Sequence, residues 1–362
     1  MSKNIYLTPG PSELYFTVQD HLKTAIQEDV CSISHRSQAF MDIYQNTAAR
    51  VKELLGVPEE YYLVFTNTAT EVWERLIQNC AEKQTYHLVN GSFSKRFYEF
   101  SGLLGRKATK LDVPFGEGFD IDQVVVPEEA EMICVTQNET SSGAALPVDA
   151  IYQLREKYPD QLIAVDAVSS VPYLNIDYRK IDSLFFSVQK GMGLPAGLGV
   201  WIFNQRCVEK ANSLEAKGLS IGTYHSIPSL LEKAVKHQTP ATPNVLGIYL
   251  LGKVCEDMLR RGVEQIRQEV EHKAALTYNF FEAHPNFECF VQKKEHQSQT
   301  VLVANLVNCT FQQVSEYLKP HLLQVGSGYG KWKTSQIRIA NFPTHSKETF
   351  FKLLDLLQEF KA

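Results

Sequence analysis

The sequence predicts an α/β protein in which a large domain built on a mainly parallel sheet precedes a smaller C-terminal α+β domain. Three observations carry that expectation. The chain has 362 residues, whereas single hydrophobic cores stop growing near ~250 residues. Between about residues 60 and 205, short and nearly all-apolar runs recur, the habit of strands covered on both faces in a parallel sheet. Past TPATPN at 239–244 the pattern changes to long helical periodicity and alternating strands, which suits a separate α+β unit.

In chain order, the opening MSKNIYLTPGP is broken by Pro and Gly before any apolar stretch of signal-peptide length. A helix is expected over roughly 40–55, where Phe40, Ile43, Tyr44, Ala48, Val51, Leu54 and Leu55 recur at three- and four-residue steps and Gly56 stops it. YLVFT (62–66) is the first strand of the sheet, and a second helix after Thr68 places Val72, Trp73, Leu76, Ile77 and Cys80 on one face. YHLVN (86–90), MICVT (132–136), LIAVDA (162–167), SLFFSV (183–188) and LGVWIF (198–203) continue the strands. The second domain is expected to open with one helical segment near 245–275, followed by VLVANLV (301–307), QIRIA (336–340) and an amphipathic helix over about 346–361.

Composition narrows the function. With 44% hydrophobic and 21% charged residues the chain is an ordinary globular protein. A net charge of -5 without a long basic run argues against a nucleic-acid or anionic-membrane surface, and nowhere do ~18 apolar residues run together. Cys31, Cys80, Cys134, Cys207, Cys255, Cys289 and Cys309 are scattered and form no CxxC pair, so a reducing, cytoplasmic setting is expected. The ten histidines include no HExxH and no cluster at ligand spacing; no protein-bound metal is expected, and the chemistry needs another electrophile.

Lys190, in FFSVQKGMGLPAG, follows an apolar strand and precedes a glycine-rich turn. Ligands gather at that edge of an open α/β sheet, and a desolvated lysine there can lose its proton and attack a carbonyl, as a pyridoxal phosphate (PLP) Schiff base requires. The bland alternative is a solvated loop lysine. GMGLPAG does not supply a dinucleotide site: Gly191, Gly193 and Gly197 miss the G-x-G-x-x-G spacing, and Pro195 stands where the helix should begin. Asp166 ends the run LIAV at another strand edge; it either keeps a pyridine nitrogen protonated, making the ring an electron sink, or caps a turn. Val168 packs under such a ring or in the core. Thr68, Ala69 and Thr70 lie at a helix start that suits a phosphate or simple capping. Phe93 stacks on the ring or fills the core, and Thr140, in TQNETSSG, bonds the cofactor's phenolate oxygen or shapes a turn.

With these residues in this order, the chain resembles the class V aminotransferases of PLP fold type I over most of its length. SVQKGMGLPAG resembles their lysine motif, LIAVDAVSS the pyridine-binding aspartate motif and QNETSSG the threonine segment. The resemblance implies a seven-stranded sheet in a PLP-binding domain at 14–245, a small domain at 246–362, and segment 1–13 packed near the site. It implies PLP as cofactor, with Lys190 and Asp166 catalytic and Gln189 and Thr68 to Thr70 on its phosphate. It also implies a homodimer with interfacial sites, where Thr242 of TPATPNV reaches the neighbouring subunit's phosphate.

ISHRS (33–37) resembles the phosphoserine aminotransferases, whose His-Arg pair helps bind a substrate phosphate, and points to His35 and Arg36. Arg338 in QIRIA stands where that family clamps the substrate α-carboxylate. The resemblance thus implies transamination between 3-phosphohydroxypyruvate and glutamate. The sequence departs from that subgroup at TNTATEVW, with Glu71 near an expected arginine, and LTPGPSE, SSGAALPVD and GSGYGKWK look more like alanine-glyoxylate or serine-pyruvate aminotransferases. Cysteine desulfuration, which needs a mobile nucleophilic thiol where Cys289 and Cys309 sit beside apolar residues and look structural, and a non-catalytic binding protein are further alternatives.

Overall fold

The computed structural model describes residues 3–361. The chain starts with a short strand, β1 (Ile5–Leu7), and the helices α1 (Val18–Gln27) and α2 (Gln38–Leu55). The Ser37 hydroxyl accepts from the Phe40 amide at 3.3 Å to begin α2, and Gly56 ends it with a left-handed φ of 66°. There follow β2 (Tyr62–Thr66), α3 (Ala69–Cys80), β3 (Gln84–Val89), α4 (Ser92–Leu103), β4 (Lys107–Asp112) and, after a single 3-10 turn, β5 (Ala130–Thr136). A small hairpin, β6 (Asn138–Glu139) and β7 (Ala144–Ala145), leads into α5 (Val148–Lys157), β8 (Leu162–Asp166), β9 (Ser183–Ser187) and β10 (Gly199–Phe203).

Seven of these strands form one sheet in the order β2-β10-β9-β8-β5-β3-β4. Neighbours are parallel except at β10, which runs antiparallel to both β9 and β2. All five residues of β10 are buried, and a strand covered on both faces has the same composition in either direction, so the apolar run could not give its polarity. The short link from β9 does: antiparallel neighbours can be joined without a crossover helix. β4, with the sequence KATKLD, went unread because it is an edge strand with half-exposed, charged residues.

After α6 (Gln205–Ala216) and α7 (Ile227–Ala234), the expected single helical segment at 245–275 is two helices, α8 (Val245–Arg261) and α9 (Val263–Ala283). Gly262, with φ 92°, turns the chain between them. The remaining elements are β11 (Phe287–Cys289), β12 (Val301–Leu306), α10 (Phe311–Leu318), β13 (Leu323–Ser327), β14 (Gln336–Ala340) and α11 (Lys347–Glu359). They form a second sheet ordered β1-β13-β14-β12-β11. The first strand of the chain thus pairs, in parallel, with a strand near its end.

The change of core comes later than the change of pattern at 245. Ile248, Leu251, Val254 and Met258 of α8 pack with Phe40, Tyr44 and Val51 of α2 beneath the large sheet. The small domain's core begins in α9, with Ala274, Tyr278 and Phe281 against Leu302, Ile337, Ile339 and Leu353. One consequence bears on function: the carboxyl ends of β5, β8 and β9 lie side by side, and β1 and β14 bring the other domain's residues to the same edge.

Candidate active site

β8 ends on Asp166, and Lys190 follows β9 by three residues, so adjacent parallel strands deliver both to one sheet edge. Lys190 is buried, at 6% exposure. Its Nζ donates to Thr140 Oγ1 at 2.7 Å and lies 5.2 Å from the centre of the Phe93 ring. Burial pulls the amine down to about 8, with Arg338 adding to the fall and Asp166 and Glu139 opposing it. The segment after β1 crosses over this lysine: Gly10 has φ 133°, and a Cβ there would sit 2.8 Å from Lys190 Cε.

Asp166 is buried as well, and burial pushes its carboxyl up to about 6 against the pull of its hydrogen bonds and of Lys190. The Val168 amide donates to Oδ1 at 3.0 Å and the Trp73 indole to Oδ2 at 2.9 Å. Phe93 is fixed from behind by Glu139, whose carboxylate accepts from the Ser94 amide and hydroxyl, both at 2.9 Å, and so holds the start of α4.

The start of α3 faces the same cleft. Thr68 caps the helix by accepting from the Glu71 amide at 3.1 Å, and the Ala69 amide donates to Ser187 Oγ at 2.7 Å. Glu71 accepts from the Asn67 amide at 2.8 Å and pairs with His225 Nδ1 at 2.6 Å. Burial pushes the Glu71 carboxyl up, but those partners outweigh it and hold its pKa below the ordinary value.

From β14 in the small domain, Arg338 Nε donates to the Ser327 carbonyl at 2.6 Å and Nη1 to the Thr140 carbonyl at 2.9 Å. Its guanidinium lies 5.5 Å from the Tyr329 ring centre. Burial lowers its pKa to about 10, with Tyr329 and Glu139 opposing, so the group stays charged at neutral pH.

A cleft of about 240 Å³ gathers Ala69, Thr70, Phe93, Thr140, Asp166, Val168, Gln189, Lys190 and Arg338. Thr68 turns its hydroxyl to the helix cap and does not line the cleft, and neither do His35, Arg36 or Thr242 of the same chain. Arg36 instead donates to Gln238 Oε1 and the Thr239 carbonyl, each at 2.9 Å, holding the 238–240 turn. Thr242 is exposed. Sequence reading missed Trp73, Ser187 and Tyr329, which line the cleft, whereas segment 1–13 was expected near the site and its Pro9–Pro11 crossing is part of the wall. Trp73 carried only a helix-face signal and Ser187 only that of the strand SLFFSV, while Tyr329 lay in GSGYGKWK, which was read for its likeness to the small-substrate aminotransferases and not for a site residue.

Residues 8–331 match the family described as aminotransferase class-V. The chain belongs to that family. This aminotransferase is 24% identical over 337 residues to the phosphoserine aminotransferase of Nocardioides sp., covering 92% of this chain and 89% of that one. With the phosphoserine aminotransferase of Rhodococcus opacus it shares 24% identity over 349 residues, 95% and 91% of the two chains. A crystal structure of a phosphoserine aminotransferase from Cytophaga hutchinsonii is 52% identical, with a TM-score of 0.98 over 100% of both chains. An aspartate aminotransferase from Thermus thermophilus, 22% identical and with a TM-score of 0.86 over 98% of each chain, shares the fold.

As a class-V aminotransferase of fold type I the chain is a PLP-dependent transaminase. The cleft fits the cofactor on its own chemistry. A buried amine and a buried carboxylate make no salt bridge with each other, an aromatic ring covers the space beside the amine, and the Thr136 hydroxyl is buried there without a partner among the described residues.

Proposed function

We propose that this aminotransferase exchanges the amino group between phosphoserine and 2-oxoglutarate, with 3-phosphohydroxypyruvate and glutamate as the other pair. The observation that carries the substrate is the 52% identity, over the full length of both chains, to the phosphoserine aminotransferase of Cytophaga hutchinsonii. PLP, when bound, supplies an electron sink for the electrons left at a substrate α-carbon. In this reading Lys190 would hold the cofactor's aldehyde carbon, Asp166 its ring nitrogen, Thr140 its phenolate oxygen, and Thr70, at the start of α3, and Gln189 its phosphate. Phe93 and Val168 enclose the ring and exclude water. Arg338 presents a guanidinium edge to the substrate α-carboxylate. The freed Lys190 amine would move the proton at the α-carbon as base and then acid, a role suited to an amine whose pKa burial draws down.

A homodimer completes the site. His35, Arg36 and Thr242 lie outside the cleft of their own chain; the family resemblance puts Thr242 on the neighbouring subunit's cofactor phosphate, and in this reading a second copy likewise brings His35 and Arg36 to the substrate phosphate. Glu71 has its oxygens committed to Asn67 and His225. The cysteine-desulfurase alternative loses its nucleophile, since neither Cys289 nor Cys309 lines the cleft. Seven thiols, none in a disulfide, support a cytoplasmic enzyme, and among the described residues no helix is long and apolar enough to cross a membrane. Turnover with phosphoserine, alanine and serine against 2-oxoglutarate, pyruvate and glyoxylate tests the substrate: phosphoserine with 2-oxoglutarate should give the highest kcat/KM, and a higher value for alanine or serine would transfer the enzyme to the small-substrate group.

A further inference from the structure

The Trp73 indole reaches from α3 to the end of β8 and donates to Asp166 Oδ2 at 2.9 Å. We propose that Trp73 is a positioning residue of this aminotransferase: its N–H fixes the Asp166 carboxylate in the orientation in which it meets the cofactor's ring nitrogen. The inference rests on the PLP assignment and adds to it a residue that the cofactor chemistry alone does not require.

The geometry restricts both partners. Oδ1 of Asp166 is held by the Val168 amide at 3.0 Å, so each carboxylate oxygen has one fixed donor and the carboxylate plane is set. Among the described residues Trp73 is the one side chain that hydrogen-bonds Asp166. Trp73 is itself 3% exposed. Its ring stacks on Phe97, with centroids 5.5 Å apart and planes at 13°, and meets the edge of Phe100 at 5.5 Å and 88°. An indole N–H only donates, so the oxygen it faces must accept, and the bond favours the ionised carboxylate over the protonated acid. That selection matters here because burial works the other way. Neutral Asp166 could not serve a protonated ring nitrogen as counter-ion.

A buried tryptophan also needs a partner for its N–H for purely structural reasons, so the test must separate support of Asp166 from support of the fold. Phenylalanine at this position keeps the aromatic packing and removes the donor. PLP is titrated into cofactor-free wild type, Trp73→Phe, Asp166→Ala and the double variant, followed by the cofactor's visible absorbance, with the Tm of each protein as control. Lys190 still captures the aldehyde in the Asp166→Ala protein, so affinity stays measurable. Trp73→Phe should raise Kd at least about tenfold, about 1.4 kcal/mol, in the Asp166 background and less than about twofold in the Asp166→Ala background. Equal losses in both backgrounds, or no loss in the first, would overturn the proposal. Should Trp73→Phe fail to fold, the bond is read in the intact chain, which has three tryptophans: the Trp73 indole ¹⁵N–¹H signal should move in Asp166→Ala and on PLP binding, and a signal unmoved by both overturns the proposal. A wild type that bound no PLP would overturn the cofactor assignment itself, and this proposal with it.

Discussion

An exposed lysine is almost wholly protonated at neutral pH and cannot attack an aldehyde, and burial is what makes Lys190 different. With its amine drawn down to about 8, the group is protonated below that pH and neutral above it. Capture of PLP by the cofactor-free protein should therefore slow by about tenfold per pH unit below 8 and level off above it; stopped-flow absorbance measures this, and a rate flat from pH 6 to 9 would refute it. Arg338→Gln should raise KM for every α-carboxylate substrate by about ten- to a hundredfold, the worth of one charge-assisted pair. Its Tm must be checked alongside, since the guanidinium also holds Ser327 and Thr140. That Lys190, Asp166 and Arg338 share one cleft was legible in the sequence through the order of short motifs that resemble the family's, with Lys190 after an apolar strand, Asp166 at the end of one and Arg338 within an alternating one. Trp73 and Glu139 were not, because what they do depends on partners distant in sequence: Trp73 and Asp166 are 93 positions apart.

Elements with local signals read well. The helix at Gln38–Leu55 had its periodicity and its Gly56 stop in the sequence, and the structure adds its Ser37 cap, whereas β1 and β13 pair across nearly the whole chain and nothing local announces them. The break at Gly262 likewise needs the sign of a backbone angle. The crossing segment at Pro9–Pro11 is the element whose role changed most, from a neighbour of the site to part of its wall. Gly10 is required there twice over, by its positive φ and by its contact with Lys190. Gly10→Ala should destabilise the fold by about 1–3 kcal/mol and slow PLP capture, read as a lowered Tm together with a reduced capture rate; an alanine variant that captured PLP as fast as wild type would show the crossing to be spacious.

At the scale of the molecule the α/β class with its large, mainly parallel sheet followed from the pattern of apolar runs, while strand polarity and the placement of α8 under the large sheet came only with packing. His35 and Arg36 raise the question the single chain leaves to the assembly. If Arg36 serves the other copy's cleft, then mixing equal amounts of inactive Lys190→Ala with Arg36→Ala subunits should restore about a quarter of wild-type activity toward phosphoserine, because half of the dimers are mixed and each carries one intact site. No restoration would confine Arg36 to the turn at 238–240 that it already holds. The most direct test of the whole account is a single half-reaction. PLP-loaded protein is mixed with phosphoserine and no acceptor, and the cofactor's visible absorbance is followed with the keto acid released. The account predicts that the absorbance bleaches with one equivalent of 3-phosphohydroxypyruvate per cofactor, faster than with alanine or serine, and that Lys190→Ala releases none. No bleaching with phosphoserine, or faster bleaching with alanine or serine, would contradict it.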